Sequence, residues 1–146
     1  MPTPASQAHS LVLTSLNHLA ALHPRYEWLG VYLLRGDTLV LGPYLGTPTE
    51  HTRIPVGKGV CGTAVAERAN QIIRDVRELD NYIACSASVR SEIVVLVWHE
   101  GRIVGQLDAD CDTVAAFGPA DEALLTELAQ RLSPAVALLA DGGEPA

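Results

Sequence analysis

The sequence predicts an α+β domain with a mainly antiparallel sheet and helices packed on one side. Two stretches in which strand-like runs flank a short turn predict β-hairpins, and helical patterns near both ends predict the covering helices. With 146 residues, of which 48% are hydrophobic, the chain is long enough for one domain with a buried core. We expect a single domain over residues 1–146, with an N-terminal helix in 1–24, the sheet and C-terminal helix in 25–139, and a frayed tail at 140–146.

The N-terminal region has the pattern of an amphipathic helix from Pro4 to Leu22. Its leucines recur at helical spacing, so they would form one apolar stripe. Ser6 or Ser10 is the expected N-cap, and Pro24 is expected to stop the helix.

The first hairpin is predicted from Trp28–Leu34 and Thr38–Leu41, which are aromatic or β-branched and flank a turn. Alternation along the first strand places Trp28, Gly30 and Tyr32 on one face. The glycine between two aromatic residues would leave room for a ligand against that face. Packing of both aromatic rings into the core is an equally good interpretation.

The next region, 42–59, is rich in proline and glycine and predicts a long irregular crossing of the kind that is often functional. A short helix is expected to follow, with Thr63 as its cap. Cys61 would then lie just before the N-terminus of that helix, a position that favours a thiolate.

The second half of the chain predicts a strand at Gln71–Ile73 and a loop that contains Cys85. A second hairpin with arms Ile93–Trp98 and Ile103–Asp110 follows. A long helix opens with a proline and two acidic residues at 119–122 and runs to about 139.

A thiol and a carboxylic acid meet near the entrance of the second hairpin. Cys85 lies in a run of small and polar residues, and Glu92 stands at the start of the buried strand that follows. A nucleophile on a loop and a proton donor at a strand end can share one cavity. Alternatively, Cys85 is a small buried hydrophobe and Glu92 is a solvated strand end.

Two further acids, Asp108 and Asp110, alternate along the last strand and therefore share one face. If that face points inward, their carboxylates repel one another unless a metal ion, an ammonium group or a retained proton separates them. If it points outward, they form only a solvated edge.

Charge and cysteine usage narrow the function classes. The net charge is −7 and no basic run is present, which argues against nucleic acid or an anionic membrane as the partner and fits a cationic or zwitterionic small ligand. No apolar run approaches the ~20 residues of a membrane span, and no signal peptide is apparent, so we expect a cytoplasmic protein. Three cysteines at irregular spacing indicate neither a disulfide framework nor a zinc motif, and we expect no metal site.

Seven stretches between residues 27 and 132 resemble, in order, the free methionine-(R)-sulfoxide reductases, a family of stand-alone GAF-domain enzymes. They are Trp28–Tyr32, Leu41–Gly46, Gly57–Ala64, Tyr82–Cys85, Ser91–Val95, Leu107–Asp110 and Phe117–Leu125. The resemblance implies a GAF-like fold and thiol-dependent reduction of free L-methionine (R)-S-oxide, with thioredoxin or another thiol as external reductant and no bound cofactor. It also allows for a homodimer.

The resemblance assigns roles residue by residue. Trp28 and Tyr32 match the aromatic wall of the substrate pocket, Glu92 matches the acid at the sulfoxide, and Asp108 and Asp110 match the ammonium and acid contacts. A thiolate attacks a sulfoxide sulfur only as the oxygen is protonated, so a nucleophilic cysteine needs such an acid beside it.

The catalytic cysteines implied by the resemblance are Cys85, as nucleophile, and Cys61. His51 stands where the family usually has a third cysteine. If that cysteine normally resolves the sulfenic acid, this chain would use Cys61, Cys111 or an external thiol.

The rival hypothesis is a non-catalytic GAF module that binds a small ligand or senses oxidants through its cysteines. A sensor usually acts through an output domain, and no such segment is evident in the sequence, which favours the enzyme.

Overall fold

The structure is a computed structural model that describes residues 2–79 and 88–142. Its helices and strands are α1 (Pro4–Leu22), β1 (Trp28–Arg35), β2 (Thr38–Leu45), β3 (Arg53–Pro55), α2 (Gly59–Glu67), β4 (Gln71–Ile73), β5 (Ser91–His99), β6 (Arg102–Cys111) and α3 (Pro119–Gly142). A single 3₁₀ turn at Val76–Glu78 follows β4.

Within the described residues, the sheet has six strands in the order β3-β2-β1-β6-β5-β4, and every neighbouring pair is antiparallel. The two predicted hairpins, β1–β2 and β5–β6, lie side by side because β1 pairs with β6. In this register Asp108 faces Gly30 on one side, and Asp110 faces Glu92 on the other. The predicted α+β fold with a mainly antiparallel sheet is confirmed.

One face of the sheet packs against the two long helices. Alternate residues of β1 and β5 point to this side, and they meet apolar positions of α1 and α3 in one continuous core. Its fully buried members include Val12, Leu16, Leu29, Val31, Ile93, Val95, Leu125 and Val136. Burying each such side chain contributes roughly 1.5–3 kcal/mol, so this core supplies most of the hydrophobic stabilisation.

The opposite face carries a smaller core under the short helix α2. Val60, Cys61 and Ala64 of α2 pack there against the other set of alternate strand residues, among them Tyr32 and Val94. The expected packing of helices on one side therefore holds for α1 and α3, whereas α2 covers the other face. The sheet thus separates a structural core from a smaller cluster that contains the predicted site residues.

Several predicted boundaries were wrong. The α1 cap is Thr3, whose side-chain oxygen accepts a hydrogen bond from the Ser6 N–H, and not Ser6 or Ser10. Part of the expected irregular crossing is regular, since β2 extends to Leu45 and β3 occupies Arg53–Pro55. Helix α3 continues to Gly142, and residues 143–146 of the expected tail lie outside the described residues.

Helix α2 also begins earlier than expected, at Gly59 and not at Thr63. Lys58 is its N-cap and makes no side-chain capping hydrogen bond. Gly59 has a φ of +64°, a backbone conformation that favours glycine. Within the described ranges, no helix combines the length and hydropathy needed to cross a bilayer.

Candidate active site

The candidate site is assembled on the sheet face that α2 covers. Three adjacent strands present polar or aromatic side chains to this face because their registers align the same set of alternate positions. The residues are Trp28 and Tyr32 on β1, Gln106, Asp108 and Asp110 on β6, and Glu92 on β5. The acid pair of β6 is buried, so the interpretation of a solvated edge is excluded.

Cys61 contacts the strand residues from the helix that covers this face of the sheet. It lies in the first turn of α2, and its thiol is 3.3 Å from Asp108 Oδ2 and 3.9 Å from Glu92 Oε2. All three side chains are buried, with exposed fractions of 5% for Cys61, 4% for Glu92 and 1% for Asp108. A thiol and two carboxyl groups thus share one enclosed space.

The electrostatics of this space contradict the expected thiolate at Cys61. Burial raises the pKa of the Cys61 thiol well above its ordinary value, and the negative charges of Asp108, Glu92 and Asp110 raise it further. The start of a helix favours a thiolate through a partial positive charge, but one helix end cannot offset burial beside three carboxyl groups. Cys61 is therefore a protonated thiol in the resting protein.

Asp108 is also perturbed. Burial raises its pKa, while hydrogen bonding with Glu92 and Cys61 acts in the opposite direction. Its Oδ1 atom is buried without a hydrogen-bond partner among the described residues. Two neighbouring buried carboxyl groups resist being ionised at the same time. Asp108 and Glu92 therefore favour a retained proton or a bound cation.

Aromatic rings form a wall beside the acids. Trp28 and Tyr32 are buried, with ring centroids 6.3 Å apart. The Trp28 Nε1–H donates to the Thr47 carbonyl at 3.1 Å, and the Tyr32 hydroxyl donates to the His51 carbonyl at 2.9 Å. Both polar ring atoms are therefore hydrogen-bonded within the protein, as buried Trp and Tyr side chains usually are.

Two hollows adjoin this face. The first is lined by Tyr32, Cys61, Glu92 and Asp108, together with His51 and Lys58 among others. A second borders Trp28, Asp110 and Cys111. Of the seven predicted site residues, the structure therefore brings four together in one hollow and places two more, Trp28 and Asp110, at its neighbour.

Cys85, the predicted nucleophile, lies outside the described residues. Ser88 and Val89, the first described residues after that gap, line the second hollow beside Trp28 and Asp110. The role of Cys85 stays a prediction. Cys111 packs into the opposite core, with the long helices, as the alternation of β6 predicts.

Two residues of the site were missed by sequence reasoning. Gln106 is fully buried, and its Nε2–H donates to the Cys61 carbonyl at 3.1 Å, which ties α2 to the sheet. Tyr44 stacks on Trp28, with ring centroids 5.5 Å apart and planes 18° apart. Gln106 could have been found because it alternates with Asp108 and Asp110, whereas no sequence signal places Tyr44 over Trp28.

Comparison with known proteins finds a matching family model and similar proteins. The family model described as GAF domain matches residues 6–137. The free methionine-R-sulfoxide reductase of Escherichia coli (strain K12) is 44% identical over 131 residues, which cover 88% of this chain and 79% of that protein.

Solved structures agree with this. The type II free methionine-R-sulfoxide reductase from Thermoplasma acidophilum superposes with a TM-score of 0.89 at 35% identity, covering 92% of this chain and 95% of that one. The free methionine-R-sulfoxide reductase from Neisseria meningitidis, solved in complex with its substrate, superposes with a TM-score of 0.80 at 35% identity, covering 93% and 89% of the two chains.

Proposed function

Because the chain belongs to the free methionine-R-sulfoxide reductase family of GAF domains, we propose that it reduces free L-methionine (R)-S-oxide to L-methionine with a thiol as electron donor. The observation that carries this proposal is the group of buried carboxyl groups in a small hollow beside an aromatic wall. A sulfoxide is a polar S=O group on an apolar chain, so its reduction needs a proton donor and an apolar surface in the same site.

Glu92 is the proposed proton donor. It is 4% exposed and stands at the strand end next to Asp108 and Cys61. A buried acid that protonates the sulfoxide oxygen makes the sulfur electrophilic at the moment of attack, and such positioned general acids typically contribute 10²–10⁴-fold to the rate.

Substrate recognition follows from the other acids and the rings. Asp108 and Asp110 would hold the ammonium group of a free amino acid, which relieves the repulsion between the buried carboxylates. Trp28 and Tyr32 would supply the apolar surface for the methyl-sulfinyl end. A peptide-bound residue has an amide in place of the ammonium group, so the acids would be left uncompensated in the complex.

The proposed chemistry uses two thiols for each sulfoxide. The Cys85 thiolate attacks the sulfoxide sulfur as its oxygen takes a proton, and oxygen transfer releases methionine and leaves a sulfenic acid on Cys85. A second thiol attacks that sulfur, forming a disulfide and releasing the oxygen as water. Two electrons and two protons from thioredoxin, or from another dithiol, return the disulfide to thiols.

The test is a coupled assay that contains thioredoxin, thioredoxin reductase, NADPH and free methionine sulfoxide. We expect NADPH consumption above a protein-free control, and much less with methionine sulfoxide inside a peptide. Binding of methionine sulfoxide without NADPH consumption in the thioredoxin system, and without methionine formation in the presence of dithiothreitol, would favour a non-catalytic ligand-binding module instead.

A further inference from the structure

A thiol and two carboxyl groups converge on one point inside the candidate site. One ligand atom each of Cys61, Glu92 and Asp108 lies within 4.8 Å of the other two, and all three residues are buried. Convergence of three ligating groups from a helix and two strands differs from a surface cluster of acids, because the fold holds all three in place. We propose that these residues form a binding site for a thiophilic divalent cation such as Zn²⁺ or Cd²⁺.

The spacing suits a tetrahedral ion. Zn–S bonds of about 2.3 Å and Zn–O bonds of about 2.0–2.2 Å at the tetrahedral angle put sulfur and oxygen ligands about 3.5 Å apart. The thiol of Cys61 is 3.3 Å from Asp108 Oδ2 and 3.9 Å from Glu92 Oε2, values on either side of that separation. Two of the three ligand separations are therefore close to those around a tetrahedral ion, and the third, between the two carboxylates, is no more than 4.8 Å.

A second, independent observation points to a ligand at this place. The Oδ1 atom of Asp108, a residue only 1% exposed, is buried without a hydrogen-bond partner among the described residues. Buried polar atoms of this kind usually have a partner, so each exception calls for an explanation. A cation beside the Asp108 carboxylate would compensate this atom.

Water is left to fill the fourth coordination position, as it does at zinc sites with three protein ligands. His51 lines the same hollow, but its ring nitrogens are not among the ligand atoms that lie within 4.8 Å of one another. With one thiolate and two carboxylates, the donor set is of the mixed sulfur and oxygen type that Zn²⁺ accepts, and binding releases the protons that these groups carry.

Occupation of this site would exclude the amino acid. Glu92 and Asp108 are the groups assigned to the sulfoxide oxygen and the ammonium group, so metal and substrate would compete for them. This consequence depends on the proposed function, whereas metal binding itself depends only on the three side chains.

The binding test is a titration of the reduced protein with Cd²⁺ alone, followed by the ultraviolet absorption of cadmium–thiolate bonds and by calorimetry. We expect one ion per chain. Cys61→Ser should remove the thiolate band and weaken binding at least tenfold, and Asp108→Asn or Glu92→Gln should weaken binding while keeping the band. Circular dichroism and thermal unfolding show that each variant is folded.

Cys111→Ser is the matched control, because Cys111 is also buried and lies near two acids, Glu27 and Asp112. It should bind Cd²⁺ like the parent protein. Loss of the band in Cys111→Ser or Cys85→Ser, or an unchanged band in folded Cys61→Ser, would overturn the proposal.

Competition separates the inference from the proposed function. Free methionine sulfoxide should weaken Cd²⁺ binding in parent protein. If Cd²⁺ binds through Cys61 and the sulfoxide has no effect on it, the metal site stands and the assignment of the substrate to these carboxyl groups fails. If Cd²⁺ does not bind although the protein reduces the sulfoxide, the metal site fails alone.

Discussion

At the scale of single residues, the aromatic wall depends on a glycine. A Cβ atom at position 30 would lie 2.5 Å from Cη2 of Trp28 and 2.8 Å from Cβ of Tyr44. The Trp28 ring therefore occupies the space that any side chain at this position would need. Gly30 allows Trp28 to lie against the sheet and stack on Tyr44.

Gly30→Ala should displace the Trp28 ring and lower stability by about 1–3 kcal/mol, the usual cost of overpacking. Because the wall moves, KM for methionine sulfoxide should rise severalfold. Denaturant unfolding and steady-state kinetics measure the two effects. Gly142→Ala, where the new Cβ would be 3.8 Å from Leu138, is the control and should neither lower stability nor raise KM. Equal behaviour of the two variants would show that Gly30 does not position the wall.

Glu92→Gln should lower kcat by roughly a hundredfold or more with little change in KM, because an amide is nearly isosteric but cannot deliver the proton. Glu67→Gln, at the exposed end of α2, is the matched control and should turn over normally. Normal turnover in Glu92→Gln would move the acid role to Asp108 or Asp110.

Predictions for single residues succeeded where they depended on the neighbouring sequence and failed where they depended on contacts between residues that are distant in sequence. Alternation alone placed Asp108 and Asp110 on one face, and the structure shows that this face is buried. The protonation state of Cys61 could not be predicted, because the carboxyl groups that raise its pKa come from β5 and β6, distant in sequence. The helix start indicates only a local partial positive charge that favours the thiolate. The pKa of the thiol, however, depends on burial and on all charges in the pocket.

At the scale of the elements, helix α3 is tied to the rest of the fold by ion pairs near both of its ends. Near its start, Asp121 accepts hydrogen bonds from Arg25, from the Tyr26 hydroxyl and from the Gly118 N–H. Near its end, Asp141 pairs with Arg102. The Asp121 side chain is 7% exposed, while that of Asp141 is 55% exposed. The two ion pairs should therefore differ greatly in their contribution to the free energy of unfolding.

Asp121→Asn should lower the free energy of unfolding by roughly 2 kcal/mol, since it weakens several hydrogen bonds to a buried charge. Asp141→Asn is the matched control on the same helix, and an exposed pair should cost less than about 1 kcal/mol. Chemical denaturation of both variants at neutral pH measures the difference. Equal losses would show that burial does not set the value of these pairs.

The ion pair between Arg25 and Asp121 predicts that the stability of the protein depends on pH. Burial alone would raise the pKa of Asp121, but hydrogen bonds from Tyr26, Gly118 and Arg25 outweigh it and lower the pKa below 3.8. A carboxyl group with a lowered pKa in the folded state stabilises above its unfolded pKa, and this contribution is lost as pH falls through the folded value. Below about pH 4, parent protein should therefore lose more stability than Asp121→Asn. Parallel acid-unfolding curves for the two proteins would contradict this.

Helices and strands were predicted well where their hydrophobic pattern extends over many residues. The pattern of α3 runs over many turns, and both hairpins show β-type runs on each side of a turn, so local sequence determines them. The start of α2 was missed because it begins with a glycine at φ +64° and lacks a side-chain cap. Strand β3 was missed because three residues carry almost no periodicity, and only its pairing with β2 defines it.

At the scale of the whole molecule, the sheet divides the cysteines. Cys61 lies on α2 and faces the candidate site, whereas Cys111 packs into the core formed with α1 and α3. The backbone of the sheet lies between the two packing layers. Cys61 shares its hollow with Glu92 and Asp108, whereas Cys111 borders the second hollow, beside Trp28 and Asp110.

A single turnover with methionine sulfoxide, followed by alkylation and peptide mass mapping, should reveal a disulfide between Cys61 and Cys85. The bond requires Cα atoms within about 7 Å, and the raised pKa of Cys61 makes its attack slower than that of an exposed thiolate. Cys111→Ser should form the disulfide normally. A lone sulfenic acid on Cys85, with normal turnover of Cys61→Ser, would assign recycling to an external thiol.

The proposed function requires that the site reduce one sulfoxide epimer of a free amino acid. This can be measured by chiral chromatography of an equal mixture of the R and S epimers of free L-methionine sulfoxide, incubated with the protein and dithiothreitol. We expect loss of the R epimer with an equal gain of methionine, while the S epimer remains. Equal loss of both epimers, or no loss beyond a protein-free control, would show that the protein is not a reductase of this specificity.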